Sequence, residues 1–565
     1  METRTGIRPP RRRLTRLIPE PVTSRVAGAA DDLNRGILTT EISPGLARVI
    51  TAAFVTALLA LPIAQAALEL RREGRIQAFD VFRRVPTKAN LSAFETALTR
   101  QSYARETVRP GLQRALSERL GFGTATAIVG LDGWLFYRPG IDWVTGGGFL
   151  DPARLARRRK ELEDNGETLG SPDPRPAIRA FHEDCRKAGV HLVVVPVPDK
   201  VTLEPHRLSP RYDRAAYDRP TNVDYRRFVA ELRGEGIDVF DPTPDPTGFA
   251  EPDRFLRQDT HWTPDWMEEV ARGLAEHLKE RVPLLSIPAR SWGSEPREVR
   301  RSGDIAEMLR LAGGKGIGSD QRVTIHRIVE PGSGRPWQSR DEADVLLLGD
   351  SFSNIYTRPD LGWGEAAGLA PQLALALGRD VDVIARNGSG STETRRELAR
   401  RPAPLGGKAV VVWEFAAREL MLAHWTVVPM PEPGTSAGGR AASDPSTGAA
   451  TAHTAGPIVV EATVVAGSRV PEPFAVPYKD CLTYVKLHVD RIIEGDYRDG
   501  ELLAVFWGMK NNVRQAAADY GAGKKLRLEL VPLSKAGEDL SSARSADDLD
   551  DFDHVPYYVR KEAAR

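Results

Sequence analysis

The sequence is poor in cysteine: Cys185 and Cys481 are the only two among 565 residues. Two thiols so far apart exclude the dense disulfide framework of small secreted domains and any cysteine-rich zinc site. We predict two unpaired thiols, with Cys185 buried on a helix. The chain also lacks an excess of either charge, because 78 Lys and Arg balance 77 Asp and Glu to a formal net charge of +1. That balance excludes the basic field of nucleic-acid-binding domains, so we expect no nucleic-acid partner.

Long apolar runs are scarce, and the strong one is residues 49–68, which carry no charge. About twenty such residues suffice for a helix to cross a bilayer. The Arg-rich segment 1–48 is expected to stay in the cytoplasm under the positive-inside rule. We therefore predict a single-pass signal anchor in the inner (cytoplasmic) membrane, with the main domain periplasmic or otherwise extracytoplasmic. Two alternatives stay open: signal-peptide cleavage after Ala64-Gln65-Ala66, and a buried core helix.

The chain beyond the anchor divides into segments that differ in composition and hydrophobic pattern. Residues 69–120 read as a polar helical stalk. Residues 121–430 alternate β-rich runs with helical stretches, which predicts a layered α/β domain with a mostly parallel central sheet. The strands are expected at His191–Pro196, Asp344–Leu348, Asp380–Ile384 and Ala409–Trp413. The covering helices are expected at Pro174–Ala188, Pro264–Glu280 and Thr392–Arg400.

The C-terminal part has a different composition. Residues 431–457 are dominated by Pro, Gly, Ser, Thr and Ala, which predicts a flexible linker. Residues 458–540 contain alternating strand-like runs separated by glycine turns, which predicts a small β-barrel or sandwich, with an OB-like barrel as the preferred form. Residues 541–565 include an acidic run and are expected to form a loosely ordered tail. Trp507, Tyr484 and Tyr497 are read as core residues of the β domain or as platforms for sugar rings.

Ser351 follows an apolar strand and a glycine, in the run Val345-Leu346-Leu347-Leu348-Gly349-Asp350-Ser351. Ligands of open α/β sheets bind beyond the carboxyl ends of the strands, where this serine is expected to lie. Ser351 is therefore a candidate nucleophile. The alternative is that the serine only caps the following helix.

Asp259 and His261 bring the other two parts of an acyl-transfer triad in one short segment. A serine hydroxyl needs an imidazole as its base, and the imidazole needs a carboxylate on its second nitrogen. The Asp-x-His spacing allows both side chains to leave an extended loop on one face. A packed histidine beside Trp262 and a metal pair are the alternatives, but no further His or Cys cluster supports a closed metal site. We therefore expect no metal and no cofactor.

Several blocks of the sequence occur in a family order. They are Gly130–Tyr137 (GLDGWLFY), Pro196–Lys200 (PVPDK), Asp259–Trp262 (DTHW), Arg301–Ala306 (RSGDIA), Gly349–Phe352 (GDSF) and Val412–Arg418 (VWEFAAR). The chain over about residues 125–425 resembles the SGNH-hydrolase-like alginate O-acetyltransferases of the AlgX and AlgJ type. The resemblance implies an SGNH-like three-layer α/β/α fold with Ser351 as nucleophile and Asp259 and His261 as its partners. It does not clearly extend to either end of the chain.

The oxyanion and substrate groups follow less directly. Acyl transfer needs fixed N–H donors for a tetrahedral oxyanion. The Ser351 backbone N–H is one candidate, and the Gly and Asn that serve SGNH-type folds suggest Asn387 and Gly388 as others, unless these form an ordinary turn. Tyr356 and Arg418 are candidates for contacts to sugar hydroxyls or carboxylates, although Arg418 can equally pair with Glu414 at helical spacing.

The predicted function is therefore transfer of acetyl groups to hydroxyls of an extracytoplasmic polysaccharide, as in exopolysaccharide biosynthesis, through a seryl ester. Two alternatives share parts of this interpretation: a carbohydrate acetylesterase that uses water as acceptor, and a non-catalytic glycan-binding scaffold. The resemblance implies two partners, a polysaccharide acceptor and a multi-span membrane acyltransferase that supplies the acetyl group.

Overall fold

The computed structural model describes residues 43–83 and 107–562, together with isolated positions between 85 and 103. Within the second range it leaves out 165–169, 213–218, 245–252, 312–315, 432–455, 477, 538–539, 541–542, 547–548, 550 and 552–553. The chain divides into two compact units, residues 1–109 and 110–565. Nearly all of the predicted linker, and much of the predicted stalk, lie outside the described residues.

The N-terminal unit contains helix α1 (Pro44–Glu73) and a 3-10 helix (Gln77–Arg83). Ser43 caps α1 by accepting a hydrogen bond from the Leu46 N–H at 3.3 Å, and Gly74 ends it in the left-handed conformation at φ 69°. Residues 44–72 are long and apolar enough to cross a membrane, and their most apolar window is not buried against the protein. An apolar stretch that is exposed among the described residues is what a bilayer-spanning segment requires.

The second unit begins with an α/β domain. Its strands are β1 (Ala127–Val129), β2 (Leu135–Tyr137), β3 (Gly170–Ser171), β4 (His191–Val197), β5 (Asp238–Val239), β6 (Gly293–Arg301), β7 (Gln321–Val329), β8 (Val345–Gly349), β9 (Asp382–Ala385), β10 (Val410–Ala416) and β11 (Trp425–Thr426). The helices that follow α1 are α2 (Arg109–Leu120), α3 (Arg138–Thr145), α4 (Pro152–Asp164), α5 (Arg175–Lys187), α6 (Lys200–Leu203), α7 (Pro205–Leu208), α8 (Tyr225–Gly234), α9 (Pro264–Arg281), α10 (Asp304–Met308), α11 (Ser351–Asn354), α12 (Leu369–Leu377), α13 (Glu393–Ala399) and α14 (Glu419–Leu422).

Five strands form a parallel central sheet in the order β5-β4-β10-β8-β9. Successive side chains of a strand point to opposite faces, and both faces of this sheet are buried. Val193, Leu347 and Val412 join one apolar core with residues of α9 and α12. Leu192, Leu348 and Trp413 join a second core with residues of α5 and α8. This confirms the predicted three-layer α/β/α domain, and the four predicted strands and three predicted helices form with shifts of a few residues at their ends.

Three antiparallel pairs were not predicted. They are β1 with β2, β3 with β11, and β6 with β7. The β6–β7 ribbon pairs nine residues from each strand but buries few side chains of β6, so its sequence is charged and lacks an apolar run. Cys185 and Cys481 are both buried, and burial of Cys185 on a helix was predicted.

The C-terminal domain is a closed barrel of five strands: β12 (Ile458–Gly467), β13 (Cys481–Glu494), β14 (Glu501–Lys510), β16 (Lys525–Pro532) and β18 (Tyr557–Glu562). Two shorter strands, β15 (Val513–Arg514) and β17 (Arg544–Ala546), add to β14 and β13. Around the barrel the first, second, third, fifth and fourth long strands are neighbours, and the third and fifth are parallel. This strand order is that of an OB fold, which confirms the preferred form.

The predicted tail is wrong in part, because two of its segments belong to the barrel. Residues Tyr557–Glu562 pair with both β14 and β16 and thereby close the barrel. The side chains of Tyr557 and Tyr558 are 4% and 5% exposed. The acidic run that precedes Tyr557 suggested a polar, unpaired segment, although the strand after it carries two buried tyrosines.

Candidate active site

Ser351 is the first residue of the short helix α11 and directly follows the central strand β8. Asp350 caps this helix: its Oδ1 accepts from the Phe352 N–H at 2.8 Å, and its Oδ2 accepts from the Ala416 N–H at 3.1 Å on the neighbouring strand. The capping role that was the alternative for Ser351 therefore belongs to Asp350. Ser351 is 7% exposed and stands at the carboxyl edge of the sheet, as predicted.

The backbone before the serine is packed against Glu414. The Glu414 Oε2 accepts from the Asp350 N–H at 3.0 Å and from the Ser353 hydroxyl at 2.6 Å. Burial and the negative charge of Asp350 raise the pKa of Glu414 well above its ordinary value. A Cβ at Gly349 would lie 2.3 Å from the Ser353 Oγ, so only glycine allows this close approach. These contacts fix the turn that carries Ser351.

Asp259 and His261 form the predicted pair on the loop that leads into α9. The His261 Nδ1 lies 2.6 Å from the Asp259 Oδ1, and both residues are 2% exposed. The other carboxylate oxygen of Asp259 accepts from the Trp363 indole N–H at 2.9 Å and the Asp304 N–H at 3.0 Å. The His261 backbone N–H also donates to the Asp259 Oδ1, at 3.1 Å, so four side-chain and backbone donors hold the carboxylate and orient the imidazole.

The electrostatics of the pair follow from its burial and its geometry. Burial alone would raise the pKa of Asp259, but the charge and hydrogen bond of His261, with the bonds from Trp363 and Asp304, lower it well below its ordinary range. Burial alone would lower the pKa of His261, but the charge and hydrogen bond of Asp259 raise it. The pair therefore stabilises the imidazolium that a general base becomes.

The second ring nitrogen of His261, Nε2, is the atom that would accept the proton of a nucleophile. The Nε2 atom is buried and has no hydrogen-bond partner among the described residues. The imidazole packs edge-on against Phe352, the residue after Ser351, with ring centroids 4.9 Å apart. The structure therefore brings His261 and the Ser351 loop together, without a Ser351–His261 hydrogen bond among the described contacts. Catalytic hydrogen bonds in unliganded sites are often long and tighten only when substrate binds.

Asp304 is a second carboxylate beside His261. Its Oδ2 accepts from the Thr260 hydroxyl at 2.6 Å and lies 3.8 Å from the His261 Nδ1. Burial and the nearby charge of Asp259 raise the pKa of Asp304 to about 7. The sequence placed Asp304 in a family block but gave it no role. Its position before a short helix, far from any other chemical motif, offered no signal for one.

Lys200 holds the loop that carries the Asp-His pair. Its Nζ donates to four backbone carbonyls, those of Leu135 and Leu256 at 2.6 Å, Arg257 at 2.9 Å and Asp259 at 3.1 Å. The lysine is 5% exposed and its Nζ also lies 4.9 Å from the centroid of the Trp134 ring. Lys200, the last residue of the PVPDK block, therefore binds the backbone of both the GLDGWLFY and the DTHW blocks. This contact explains why the three blocks occur together in one sequence.

Asn387 and Gly388, the predicted oxyanion residues, follow β9 at the same sheet edge. The Asn387 Oδ1 accepts from the Asn354 Nδ2 at 2.9 Å, which assigns the NH2 group to the other side of the amide. Asn387 lines the same cleft as His261. Gly388 has φ 68°, and its carbonyl accepts from the Arg544 guanidinium of the barrel. Asn387 thus remains a candidate donor, whereas Gly388 contacts the C-terminal domain.

Tyr356 and Arg418, the predicted sugar contacts, are both held by partners within the domain. Tyr356 is 0% exposed, and its hydroxyl donates to the Trp262 carbonyl at 2.6 Å. Arg418 is 7% exposed and pairs with Asp199 at 2.8 Å rather than with Glu414, which lies on strand β10. The predicted helical spacing to Glu414 was therefore wrong. Both side chains support the walls of the site from within the domain.

Two side-chain groups of the described chain have the composition of a metal site. Asp259, His261 and Asp304 form one, and Glu204, His206 and Asp253 form the other. In the first group the His261 Nδ1 is hydrogen-bonded to the Asp259 Oδ1, and the Asp304 Oδ2 accepts from the Thr260 hydroxyl. In the second, the Glu204 Oε1 accepts from the Arg254 N–H at 2.7 Å and Asp253 pairs with Arg207 at 2.7 Å. These contacts account for both groups by hydrogen bonding within the protein.

The cleft over the Asp-His pair has a volume of about 510 Å³, including its opening to solvent. Its walls come from both domains of the second unit: Asp259, His261 and Asn387 on one side, and Tyr478 and Lys479 of the barrel on another. The sequence did not predict that these barrel residues line the cleft, because they lie in a loop without a recognisable motif.

Three comparisons place these observations among known proteins. The family model for the SGNH hydrolase-like domain of acetyltransferase AlgX matches residues 127–417. The probable alginate O-acetylase AlgJ of Pseudomonas aeruginosa is 27% identical over 324 residues, which are 53% of this chain and 72% of that protein. The alginate biosynthesis protein AlgX of Pseudomonas syringae is 24% identical over 274 residues, 46% of this chain and 53% of that protein.

A solved structure, the O-acetyltransferase domain of Pseudomonas putida AlgJ, is 24% identical with a TM-score of 0.38, and covers 52% of this chain and 92% of that one. The family match spans both the Asp-His loop and the serine turn and occupies more than half of the sequence. The chain therefore belongs to the AlgX family of SGNH hydrolase-like acetyltransferases.

Proposed function

We propose that this protein is a membrane-anchored O-acetyltransferase that modifies hydroxyls of a polysaccharide outside the cytoplasm. The observation that carries the proposal is the buried Asp259–His261 pair, whose second imidazole nitrogen has no described partner and whose ring packs on the residue after Ser351. The names of the AlgJ and AlgX relatives refer to alginate, and AlgJ is named as a probable alginate O-acetylase. Acetylation of a polysaccharide is thus the reaction class that both chemistry and family support.

The proposed reaction has two steps. In the first, the Ser351 Oγ attacks the carbonyl carbon of an acetyl donor while the His261 Nε2 takes the hydroxyl proton. The tetrahedral oxyanion accepts hydrogen bonds from the Ser351 N–H and the Asn387 amide, and it collapses as His261 returns the proton to the leaving group. In the second, an acceptor hydroxyl gives its proton to His261 and attacks the carbonyl carbon of the seryl ester. The second tetrahedral intermediate collapses as His261 returns that proton to the Ser351 Oγ, which frees the serine and forms the product ester.

The proposal also includes how the protein is anchored and how it receives the acetyl group. Helix α1 holds the protein in the inner membrane, with the Arg-rich segment 1–48 in the cytoplasm and the catalytic domain in the periplasm. Acetyl groups then have to be delivered across the membrane. A multi-span membrane acyltransferase, as the family resemblance implies, supplies the donor.

The test is turnover of p-nitrophenyl acetate by the protein without its first 108 residues, or by the full chain in detergent. Ser351→Ala and His261→Ala are expected to abolish release of p-nitrophenol above background, while Ser294→Ala, at an exposed serine of β6, keeps the wild-type turnover. A trapped acetyl group on Ser351, detected by peptide mass spectrometry, would identify the ester. Unchanged rates in both variants would contradict the triad and favour a non-catalytic scaffold.

Addition of a polysaccharide acceptor separates transfer from hydrolysis. Acetylated oligosaccharide is expected as the product, and its formation should depend on Ser351. Release of free acetate alone, at any acceptor concentration, would instead identify an acetylesterase.

A further inference from the structure

One loop of the barrel lines the catalytic cleft, and a second lies beside it against Gly388. The first connects β12 to β13, the first two strands of the OB barrel, and contains Tyr478, Lys479 and Asp480, which line the cleft with His261. The second connects β16 to β18, the last two long strands, and contains Arg544. In OB folds these same two loops, with the face of the second and third strands, bind oligosaccharides and oligonucleotides. The geometry therefore turns the usual ligand side of the barrel toward the acetyl-transfer site.

Direct contacts fix this arrangement. The Arg544 guanidinium donates to the Gly388 carbonyl and lies 5.4 Å from the centroid of the Tyr478 ring. A Cβ at Gly388 would lie 2.8 Å from the Tyr478 Cε1, so the loop that carries Asn387 packs tightly on the barrel. At the other end of the first loop, Arg310 of the hydrolase-like domain lies 4.8 Å from the Phe474 ring centroid. The barrel loops are thus held beside the candidate oxyanion donor.

The charges that line the cleft discriminate between classes of acceptor. Carboxylates from five residues face it, whereas Arg301 and Lys479 are the described cations in its lining. Both cations contact the same carboxylate, that of Glu307, at 2.8 Å for Arg301 and 3.7 Å for Lys479. A uronate or a phosphate needs Arg or Lys groups to balance its charge. In this cleft Glu307 already balances the charges of Arg301 and Lys479. The carboxylates of the lining therefore repel the negative charge of a uronate or a phosphate.

We propose that the two barrel loops complete the acceptor subsite and that this subsite takes an uncharged, hydroxyl-rich glycan rather than a polyuronate. The proposal rests on the proposed acetyltransferase function and defines its acceptor. Lys479, whose side chain is 36% exposed, donates to acceptor hydroxyls, and the Tyr478 loop places the chain beside His261. The same charge argument excludes an oligonucleotide, the other common ligand of an OB barrel.

The experiment measures acetyl transfer from p-nitrophenyl acetate to cellohexaose and to hexamannuronate by the full chain in detergent. Wild-type protein is expected to acetylate cellohexaose with a clear preference. Lys479→Ala should raise the KM for cellohexaose about fivefold, the loss of one hydrogen bond, and hydrolysis of the donor without acceptor is measured in parallel. Lys561→Ala, an exposed lysine on the last strand of the barrel, is the matched control and should change neither value.

A second variant tests the charge argument by a gain of function. Glu307→Gln keeps the size of the side chain and releases Arg301 and Lys479 from their shared carboxylate, so transfer to hexamannuronate should increase about tenfold relative to cellohexaose. A preference of the wild type for hexamannuronate, or use of neither glycan, would overturn the proposal, as would an unchanged KM in Lys479→Ala. Inhibition of transfer by micromolar single-stranded oligonucleotide would also contradict it. Retention of Ser351-dependent donor hydrolysis in any of these cases leaves the proposed function standing, whereas its loss in the wild type removes both.

Discussion

At the scale of single residues, the proposed chemistry depends on the charge of Asp259. The unperturbed pKa of a histidine is about 6.5, and Asp259 raises that of His261 despite its burial. His261 acts as a base only when neutral. The rate should therefore rise with pH through a pKa above 6.5, so that the acid limb of the pH profile lies higher than for an isolated imidazole.

Replacement of that charge gives the first prediction. In Asp259→Asn, burial acts on His261 without the opposing carboxylate, so the acid limb of the residual activity should move to lower pH. The rate at its plateau should fall by about 10³-fold, because the amide no longer stabilises the imidazolium. The measurement is the pH dependence of kcat/KM for p-nitrophenyl acetate. Asp265→Asn, an exposed carboxylate in the first turn of α9, is the control, and an unshifted limb in Asp259→Asn would contradict the assignment.

Tyr356 provides a second prediction, which tests whether this side chain supports the core or binds the sugar. Its hydroxyl binds the Trp262 carbonyl within the core, so Tyr356→Phe leaves that buried carbonyl without its donor. We expect a loss of roughly 1–3 kcal/mol in the free energy of unfolding, measured by denaturant titration, and an acceptor KM unchanged within about twofold. A large rise in KM at unchanged stability would restore the sugar-binding role that the sequence suggested for Tyr356.

At the scale of elements, the parts that the sequence predicted best are those with a local cause. Strands β4, β8 and β10 are rich in Val and Leu because both of their faces are buried, and such runs are visible without a structure. The β6–β7 ribbon and the closing strand β18 were missed for the opposite reason. Their positions depend on pairing with distant strands, and their own sequences are charged or short.

The loop that carries Asp259 and His261 shows how one side chain can stabilise an element from a distance. Lys200 donates to four carbonyls, and Lys200→Met removes this donor from all four, although the Arg257 carbonyl still accepts from the Leu135 N–H at 2.9 Å. We expect a loss of about 3 kcal/mol or more in unfolding free energy. We also expect kcat for p-nitrophenyl acetate to fall at least about tenfold in the folded protein, because the base is no longer held in place.

Lys408 offers a matched control for that prediction. It too is buried, and its Nζ donates to the carbonyls of Asp341 and Ala343 and to Asp382, at 2.6–2.8 Å, but it precedes β10 at the amino end of the sheet. Lys408→Met should therefore destabilise the protein without a comparable loss of kcat. Equal losses of kcat in the two variants would show that general destabilisation, and not loop position, explains the effect.

At the scale of the whole molecule, the candidate site is assembled by long-range contacts. The sequence placed Ser351, Asp259 and His261 together through chemical logic and family order, because those residues carry recognisable motifs. It could not place Tyr478 and Lys479, since a loop between two barrel strands has no pattern that indicates what it faces. The docking of the barrel on Gly388 and Arg310, which brings the loop to the cleft, depends on surface complementarity rather than on periodicity.

Closure of the barrel therefore becomes a condition for acceptor binding. Strand β18 pairs with β14 and β16, and Tyr557 packs in the barrel core. Termination after Pro556 removes this strand, opens two sheet edges and takes two aromatic side chains from the apolar clusters. We expect the thermal transition of the barrel to be lost in calorimetry, and acetyl transfer to an oligosaccharide to fall below about one tenth of wild type.

Hydrolysis of p-nitrophenyl acetate should be affected much less by this truncation, because the serine turn and the Asp-His loop are supported by the cores of the α/β domain. Termination after Glu562, which leaves β18 intact, is the matched control and should preserve both activities. Wild-type transfer by the protein that ends at Pro556 would contradict a role for the barrel in acceptor binding. Loss of hydrolysis to the same extent as transfer would show instead that the barrel is needed to hold Asn387 and Gly388 in place for the chemical step itself.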